Sequence, residues 1–237
     1  MNVVAEGPSP NTERFAKDSD PAVRGFLHRP EISCGDALVL THGAGSNCWA
    51  PLLVGVAVAL AEAGFTVLRC DLPYRQERPH GPPSPGGSAR DREGLRRAVQ
   101  ALIELNPPAS FRRVFLGGHS YGGRQASMLA AGDPGLVEGL LLLSYPLHPP
   151  HKPAQLRTAH FPELRARSLF VHGSHDPFGT PEEMRSALAL IPATTSLFPI
   201  EDAGHDLGFG RGRTHGSDAQ GRWSRQVSVA FQSFIGK

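Results

Sequence analysis

Short, continuously apolar runs that alternate with helical patterns constrain this chain more than any other feature. Residues 37–41 (ALVLT), 65–70 (FTVLRC), 113–117 (RVFLG), 139–144 (GLLLLS) and 168–172 (SLFVH) read as strands. Between them, residues 52–63, 91–105, 121–131 and 181–190 carry helical periodicity, and 223–235 reads as a closing amphipathic helix. Leu95, Val99, Leu102 and Ile103 fall on one stripe of the second helix, which Asn106-Pro-Pro should end. Thr180 followed by Pro181 is an N-cap with proline at the first helical turn. Residues 196–200 (SLFPI) form a last strand whose Pro199 predicts an edge position, since proline donates nothing to a central ladder. Strands apolar on both faces belong to a parallel sheet covered by helices on each side. The expected class is therefore α/β, a doubly wound, mostly parallel sheet, in one domain spanning residues 1–237 with 1–20 as a flexible lead-in. In such sheets ligands meet the carboxyl ends of the strands, so the residues just after each strand are the informative ones.

Composition narrows the partners. The 237 residues include 27 glycines and 22 prolines, about one residue in five, which falls short of the roughly 25–30% that marks low complexity. With 40% hydrophobic residues and a formal net charge of +2, the chain is expected to fold, and no basic excess points to nucleic acid. Cys34, Cys48 and Cys70 are odd in number and follow no CxxC spacing, so neither a disulfide framework nor a zinc site is expected. The first fifteen residues lack a basic and an apolar region, and the longest apolar stretch, 50–61, is too short to span a bilayer. A cytoplasmic protein with no membrane or nucleic-acid partner is the expectation.

The strand ends hold the chemistry. After residues 113–117 comes Gly118-His119-Ser120-Tyr121-Gly122, a GxSxG pattern in the strand–turn–helix context that it requires. A serine at such a tip projects its hydroxyl outward, with the N–H groups of a helix start behind it. Serine needs a base to take its proton, and the base needs a carboxylate to orient it. In the chain order serine–acid–histidine, Asp176 follows one strand and His205 follows the last. Ser120 is the expected nucleophile, His205 the general base and acid, Asp176 the orienting group. Asp71 is the runner-up acid. Asp202 and Asp206 lie too close in sequence to His205, His175 has no partner serine in order, and His119 and His172 are expected to be packed imidazoles. Two N–H donors should face the developing oxyanion: Tyr121, and Ala44 in the turn His42-Gly43-Ala44-Gly45. The phosphate-binding patterns GxGxxG and GxxxxGK[ST] are absent, and no cofactor is expected.

These four elements, HGAG, GHSYGG, GSHDPFG and AGHDL, in one order over residues 36–210, resemble the α/β-hydrolase superfamily. More narrowly, the stretches 41–45, 69–74, 122–124, 144–150 and 173–179 resemble the hydrolase-like family of testis-expressed protein 30 and a chromatin acetyltransferase complex subunit. The resemblance implies a carboxylesterase-like serine hydrolase, similar to dienelactone hydrolases but with serine in place of their cysteine. It also implies two alternatives, an interaction scaffold and a thioesterase or acyltransferase with the same residues. His42, Gly43, Gly45, Tyr74, Arg75 and Tyr145 are then the expected substrate-binding residues, in the loops that follow three of the strands. Prolines concentrate in two of those loops, 73–87 and 145–153. The second leaves only some 20 residues where larger hydrolases insert a cap, so the cap should be minimal. Arg75, Arg78 and Arg124 are candidates to attract an anionic acyl group at the mouth. His148-Pro-Pro-His151 lacks a third ligand, and no metal is expected.

Overall fold

The computed structural model describes residues 11–105, 111–209 and 217–237. The expected helix stop at 106–108 and the first half of the lead-in, residues 1–10, lie outside that range. Eight strands form one sheet: β1 (Thr12–Lys17), β2 (Val23–His28), β3 (Asp36–Thr41), β4 (Thr66–Cys70), β5 (Arg113–His119), β6 (Gly139–Leu143), β7 (Arg167–Gly173) and β8 (Thr195–Ile200). Their order is β1-β2-β4-β3-β5-β6-β7-β8. All pairs from β4 to β8 are parallel, while β1 and β2 form a hairpin that adds antiparallel to β4. The helices are α1 (Pro51–Glu62), α2 (Pro73–Glu77), α3 (Ser88–Ile103), α4 (Tyr121–Gly132), α5 (Pro181–Leu188) and α6 (Ser217–Phe234).

The parallel strands alternate cleanly between two cores. Leu38 and Leu40 face the layer of α1 and α6, while Ala37 and Val39 face α3 and α4. Leu141 and Leu143 join the first core, Leu140 and Leu142 the second, as the two-residue period of a strand requires. On the first face Phe65, Phe115 and Phe231 meet edge-on or tilted, with centroids 5.2–6.5 Å apart. β8 is an edge strand with Pro199 in it, as its sequence predicts.

Two elements depart from the sequence reading. Residues 12–17, expected as lead-in, form β1, and 23–28 form β2. Neither segment is continuously apolar, because β1 stands at the sheet margin, where Glu13, Arg14 and Ala16 meet water. The proline-rich stretch after β4 also begins with an ordered helix, α2. The β6–β7 connection carries a single 3₁₀ turn, Phe161–Glu163, which is the minimal cap that the chain length there implies.

At the amino-terminal ends of the strands, buried Asp36 ties the sheet to α6. Its carboxylate accepts two bonds from Arg113 (2.7 and 3.1 Å) and two from Arg112 (3.1 and 3.3 Å), with Lys237 Nζ 3.4 Å away. Arg113 also donates to Ile235 O at 2.8 Å. Burial alone would raise the carboxyl pKa, but the bonds from Arg113 and Arg112, then the charges of Arg113 and Lys237, outweigh it and hold the group at about 2. A depressed folded-state pKa stabilises above the unfolded value of 3.8 and is lost as pH falls toward 2. Asp36→Asn should therefore cost about 2 kcal/mol at neutral pH. Urea titrations should find the wild type losing that margin between roughly pH 4 and 2, with the variant flat across the same window. A variant as stable as wild type at pH 7 would refute this account of the cluster.

Candidate active site

The turn from β5 into α4 sets the geometry. Ser120 caps α4 with φ 51° and ψ −115°, a left-handed conformation that a side-chain-bearing residue adopts only at a cost. The neighbouring glycines make it possible. A Cβ on Gly122 would lie 2.5 Å from His42 O and 2.6 Å from Thr41 Cγ2; one on Gly118 would lie 2.8 Å from the Gly122 backbone. Helix and strand thus approach too closely for any other residue, and the serine hydroxyl is driven out over the strand ends. The Ser120 N–H donates to Leu143 O at 2.8 Å, which fastens the turn to the neighbouring strand.

Three side chains from different loops meet there. His205 Nε2 lies 2.8 Å from Ser120 Oγ, and His205 Nδ1 lies 2.8 and 2.9 Å from the two oxygens of Asp176. Because carboxylate oxygens accept, Nδ1 carries the proton, and Nε2 is left to accept from the serine hydroxyl. Asp176, itself buried, follows β7 and also accepts the Phe178 N–H at 2.9 Å. His205 follows β8. Its ring is stacked on Phe178, centroids 4.2 Å apart at 34°, and backed by His119 at 5.1 Å. His119 Nε2 donates to His205 O at 2.8 Å; burial, then the nearby His205, lowers its pKa to about 4, so it stays neutral. His172 is buried behind the carboxylate and donates to Gly179 O at 2.7 Å. Both histidines are packed imidazoles, as expected.

The rival acids are engaged elsewhere. Asp71 accepts the Cys48 N–H at 2.7 Å and lies 3.5 Å from His42, on the far side of β3 from β6 and β7. Asp206 accepts the Gly208 N–H at 2.9 Å. His148 is buried against Glu183 at 3.4 Å while His151 is exposed, so the His148-Pro-Pro-His151 motif presents no ligand pair. Among the described residues no group of His, Cys, Asp or Glu could hold a metal ion.

The turn after β3 packs directly on the serine: a Cβ on Gly43 would lie 3.4 Å from Ser120 Cβ and 2.9 Å from His119 Nδ1. This turn is held from behind by residues that the sequence reading assigned to substrate. His42 is fully buried, donates through Nδ1 to Gly43 O (2.9 Å) and accepts the Leu72 N–H at Nε2 (3.1 Å); burial keeps it neutral. Tyr74 is buried, and its hydroxyl donates to Ala44 O at 2.9 Å. Arg75, also buried, donates to four backbone carbonyls, those of Ser46 (2.7 Å), Ala44 (3.0 Å), Gly81 (2.8 Å) and Arg78 (3.1 Å). Its guanidinium is spent on the loop rather than turned to the mouth. Tyr145 is enclosed in the core and donates to Arg157 O at 2.6 Å. Gly43 and Gly45 alone of the six lie where backbone meets Ser120 or open space.

Two residues that the sequence reading passed over complete the arrangement. Asp91 accepts the Tyr121 hydroxyl at 2.7 Å and the Tyr74 N–H at 3.3 Å, so one carboxyl links the residue after Ser120 to the clamp on Ala44. Burial raises its pKa against those bonds. Its only sequence signal is an acidic residue in the first turn of α3. Phe178 was within the quoted aspartate loop, but no spacing rule announces a ring against His205.

The comparisons with known proteins agree with this fold. Structures of similar fold include a dienelactone hydrolase from Anabaena variabilis, with TM-score 0.69 at 22% identity over 94% of this chain and 98% of that one. The Est1E protein from Butyrivibrio proteoclasticus superposes with TM-score 0.70 at 16% identity, covering 94% of this chain and 99% of its own. A lidless α/β serine hydrolase from Xanthomonas campestris gives 0.67 at 16%, covering 96% and 94%. At such identities the likeness speaks for the fold. The model of the family described as the alpha/beta hydrolase domain, however, matches residues 35–235, nearly the whole described chain, and with the sheet order and the strand-end turn it leads to one conclusion: the chain belongs to the alpha/beta hydrolase domain family.

Proposed function

We propose that the protein is a serine hydrolase that cleaves a small ester or related acyl compound through an acyl-enzyme intermediate. The observation that carries the reading is the unbroken run of hydrogen bonds from Ser120 Oγ through His205 to Asp176, each 2.8–2.9 Å long. Ser120 Oγ attacks the acyl carbon as His205 Nε2 takes its proton, and the same nitrogen returns the proton to the departing alcohol. Water, deprotonated by His205 in turn, releases the acid. Asp176 holds the imidazole in the tautomer that accepts at Nε2 and stabilises the imidazolium that forms.

The oxyanion would be met by the N–H groups of Tyr121, whose place at the first turn of α4 leaves it without an intrahelical acceptor, and of Ala44. Tyr74 and Arg75 fit positioning roles: the Tyr74 hydroxyl reaches Gly43 O (3.3 Å), the carbonyl of the same peptide as the Ala44 N–H, and both side chains fix Ala44 from its other side through its carbonyl. The esterase and dienelactone hydrolase neighbours support a hydrolase class. The narrower likeness to the testis-expressed protein 30 family rests on the sequence stretches given above, and thioester hydrolysis or acyl transfer would use the same residues. Among the described residues no helix is long and apolar enough to cross a membrane, and we keep the cytoplasm as the proposed setting.

A fluorophosphonate probe should label the wild type and leave Ser120→Ala unlabelled, with turnover of 4-nitrophenyl butyrate down by about 10⁴-fold or more. A wild type that never reacts with the probe would instead favour a scaffold. Asp176→Asn should lower kcat by roughly 10³–10⁴-fold while KM moves little, because the tautomer rather than binding is lost. Equal turnover in that variant would exclude Asp176 from its role. Arg75→Met should reduce kcat by roughly 10–100-fold, the scale of one weakened oxyanion donor, read alongside the melting temperature; a loss confined to KM would return Arg75 to substrate contact.

A further inference from the structure

Positive charge without a counter-ion gathers one helical turn beyond Ser120. Arg124 follows Ser120 by four residues and donates its N–H to Ser120 O at 2.9 Å, so both side chains lie on one face of α4, leaning toward its start. Near it are Arg157, from the short β6–β7 connection, whose carbonyl accepts the Tyr145 hydroxyl at 2.6 Å, and Arg92, from α3, which bonds the neighbouring Gln125. Among the described residues no carboxylate comes within 4.0 Å of any of the three. Arg24, Arg29, Arg90, Arg96, Arg97, Arg112, Arg113, Arg167 and Arg185 each have such a partner; among the described residues Arg14, Arg69, Arg75, Arg78, Arg165, Arg222 and Arg225 do not, so what marks the three is their gathering around the start of α4. The two acids that flank Arg92 in sequence are engaged elsewhere: Glu93 pairs with Arg96 and Arg97, and Asp91, which feels the charge of Arg92 without an ion pair to it, is bound by Tyr121 and Tyr74.

What the three arginines do touch is neutral. Arg92 donates to Gln125 Oε1 at 3.1 Å and Arg157 to Pro146 O at 3.3 Å. Arg124 lies against the Tyr145 phenol, and its Nε, like Gln125 Nε2, is a buried donor with no acceptor. His160 closes the group, 2.8 Å from Ser127 Oγ. Burial, then the charges of Arg124 and Arg92, lowers its pKa to about 4, so it adds no charge of its own. Three guanidinium groups with donors left over, at the strand ends that hold Ser120, lack only an acceptor of negative charge.

We propose that Arg124, with Arg157 and Arg92, receives an anionic group, a carboxylate or a phosphate, carried by the compound on which Ser120 acts. The inference rests on the acyl-transfer reading for what the anion is attached to, but not for the anion site itself. It replaces Arg75 and Arg78 as the source of anion attraction: the first is bound to its own loop, and the second donates to Pro82 O and Ser84 Oγ.

The test has two arms. In the first, wild type is compared on 4-nitrophenyl butyrate and on the mono-4-nitrophenyl ester of adipate, which ends in a carboxylate, with spontaneous hydrolysis subtracted. The kcat/KM ratio should favour the acidic ester, and Arg124→Gln should lower that ratio roughly 10- to 100-fold, the range of one lost charge-assisted bond. Arg157→Gln serves as the second variant, each checked by circular dichroism. In the second arm, calorimetry on Ser120→Ala measures binding of adipate and of inorganic phosphate, and the tighter one identifies the anion class. Binding that disappears with Arg124→Gln supports the site even if the wild type proves unreactive to a fluorophosphonate, which would overturn only the hydrolase reading. No preference for the acidic ester together with no binding of either anion overturns the proposal. So does a ratio that neither arginine variant moves.

Discussion

The close approach of β5, α4 and the turn after β3 is the constraint on which the site depends. Thr41, His42, Gly118 and Gly122 sit within a few ångströms of one another, and no Cβ fits on either glycine. That contact forces Ser120 into a left-handed backbone and sends its hydroxyl outward. It also brings Gly43 against Ser120 Cβ, so the serine and the neighbouring backbone turn come from one packing event. The strain at Ser120 is held by hydrogen bonds on both sides, from its N–H to β6 and from Arg124 N–H to its carbonyl.

Around that contact the protein uses neutral histidines and buried donors as supports. His42, His119 and His172 each have one ring nitrogen donating to a backbone carbonyl near the site, and burial keeps all three uncharged. Their neutrality matters because a second positive imidazole beside His205 would oppose the charge that His205 gains on taking a proton. Arg75 is the opposite case, a charge kept inside because four carbonyls surround it.

Much of this was legible in the sequence, and the reasons are specific. The central strands could be read because burial on both faces leaves continuous apolar runs, and Pro199 announced an edge. Ser120, Asp176 and His205 could be read because chain order at strand ends carries over into space in a parallel sheet; the structure brings the three into contact. The hairpin β1–β2 was missed, since strands at a margin lose the apolar signature. Tyr74, Arg75 and Tyr145 were read as substrate contacts from their places after strands, but position does not reveal which way a side chain turns. All three turn inward, where a hydroxyl or guanidinium finds carbonyls. Asp91 was hidden because its partners, Tyr74 and Tyr121, lie 17 and 30 residues away.

The margin at β8 has a further consequence. A sheet open on one side offers its outer row of N–H and C=O groups to any passing strand, and an apolar run such as SLFPI invites such pairing. Pro199 supplies no N–H to that row and resists the flat geometry that stacked strands need. The opposite margin is closed differently, by a hairpin whose outer strand carries the charged side chains Glu13, Arg14 and Lys17. Both margins of the sheet thus carry features that oppose the addition of a further strand, a proline at one and charged side chains at the other.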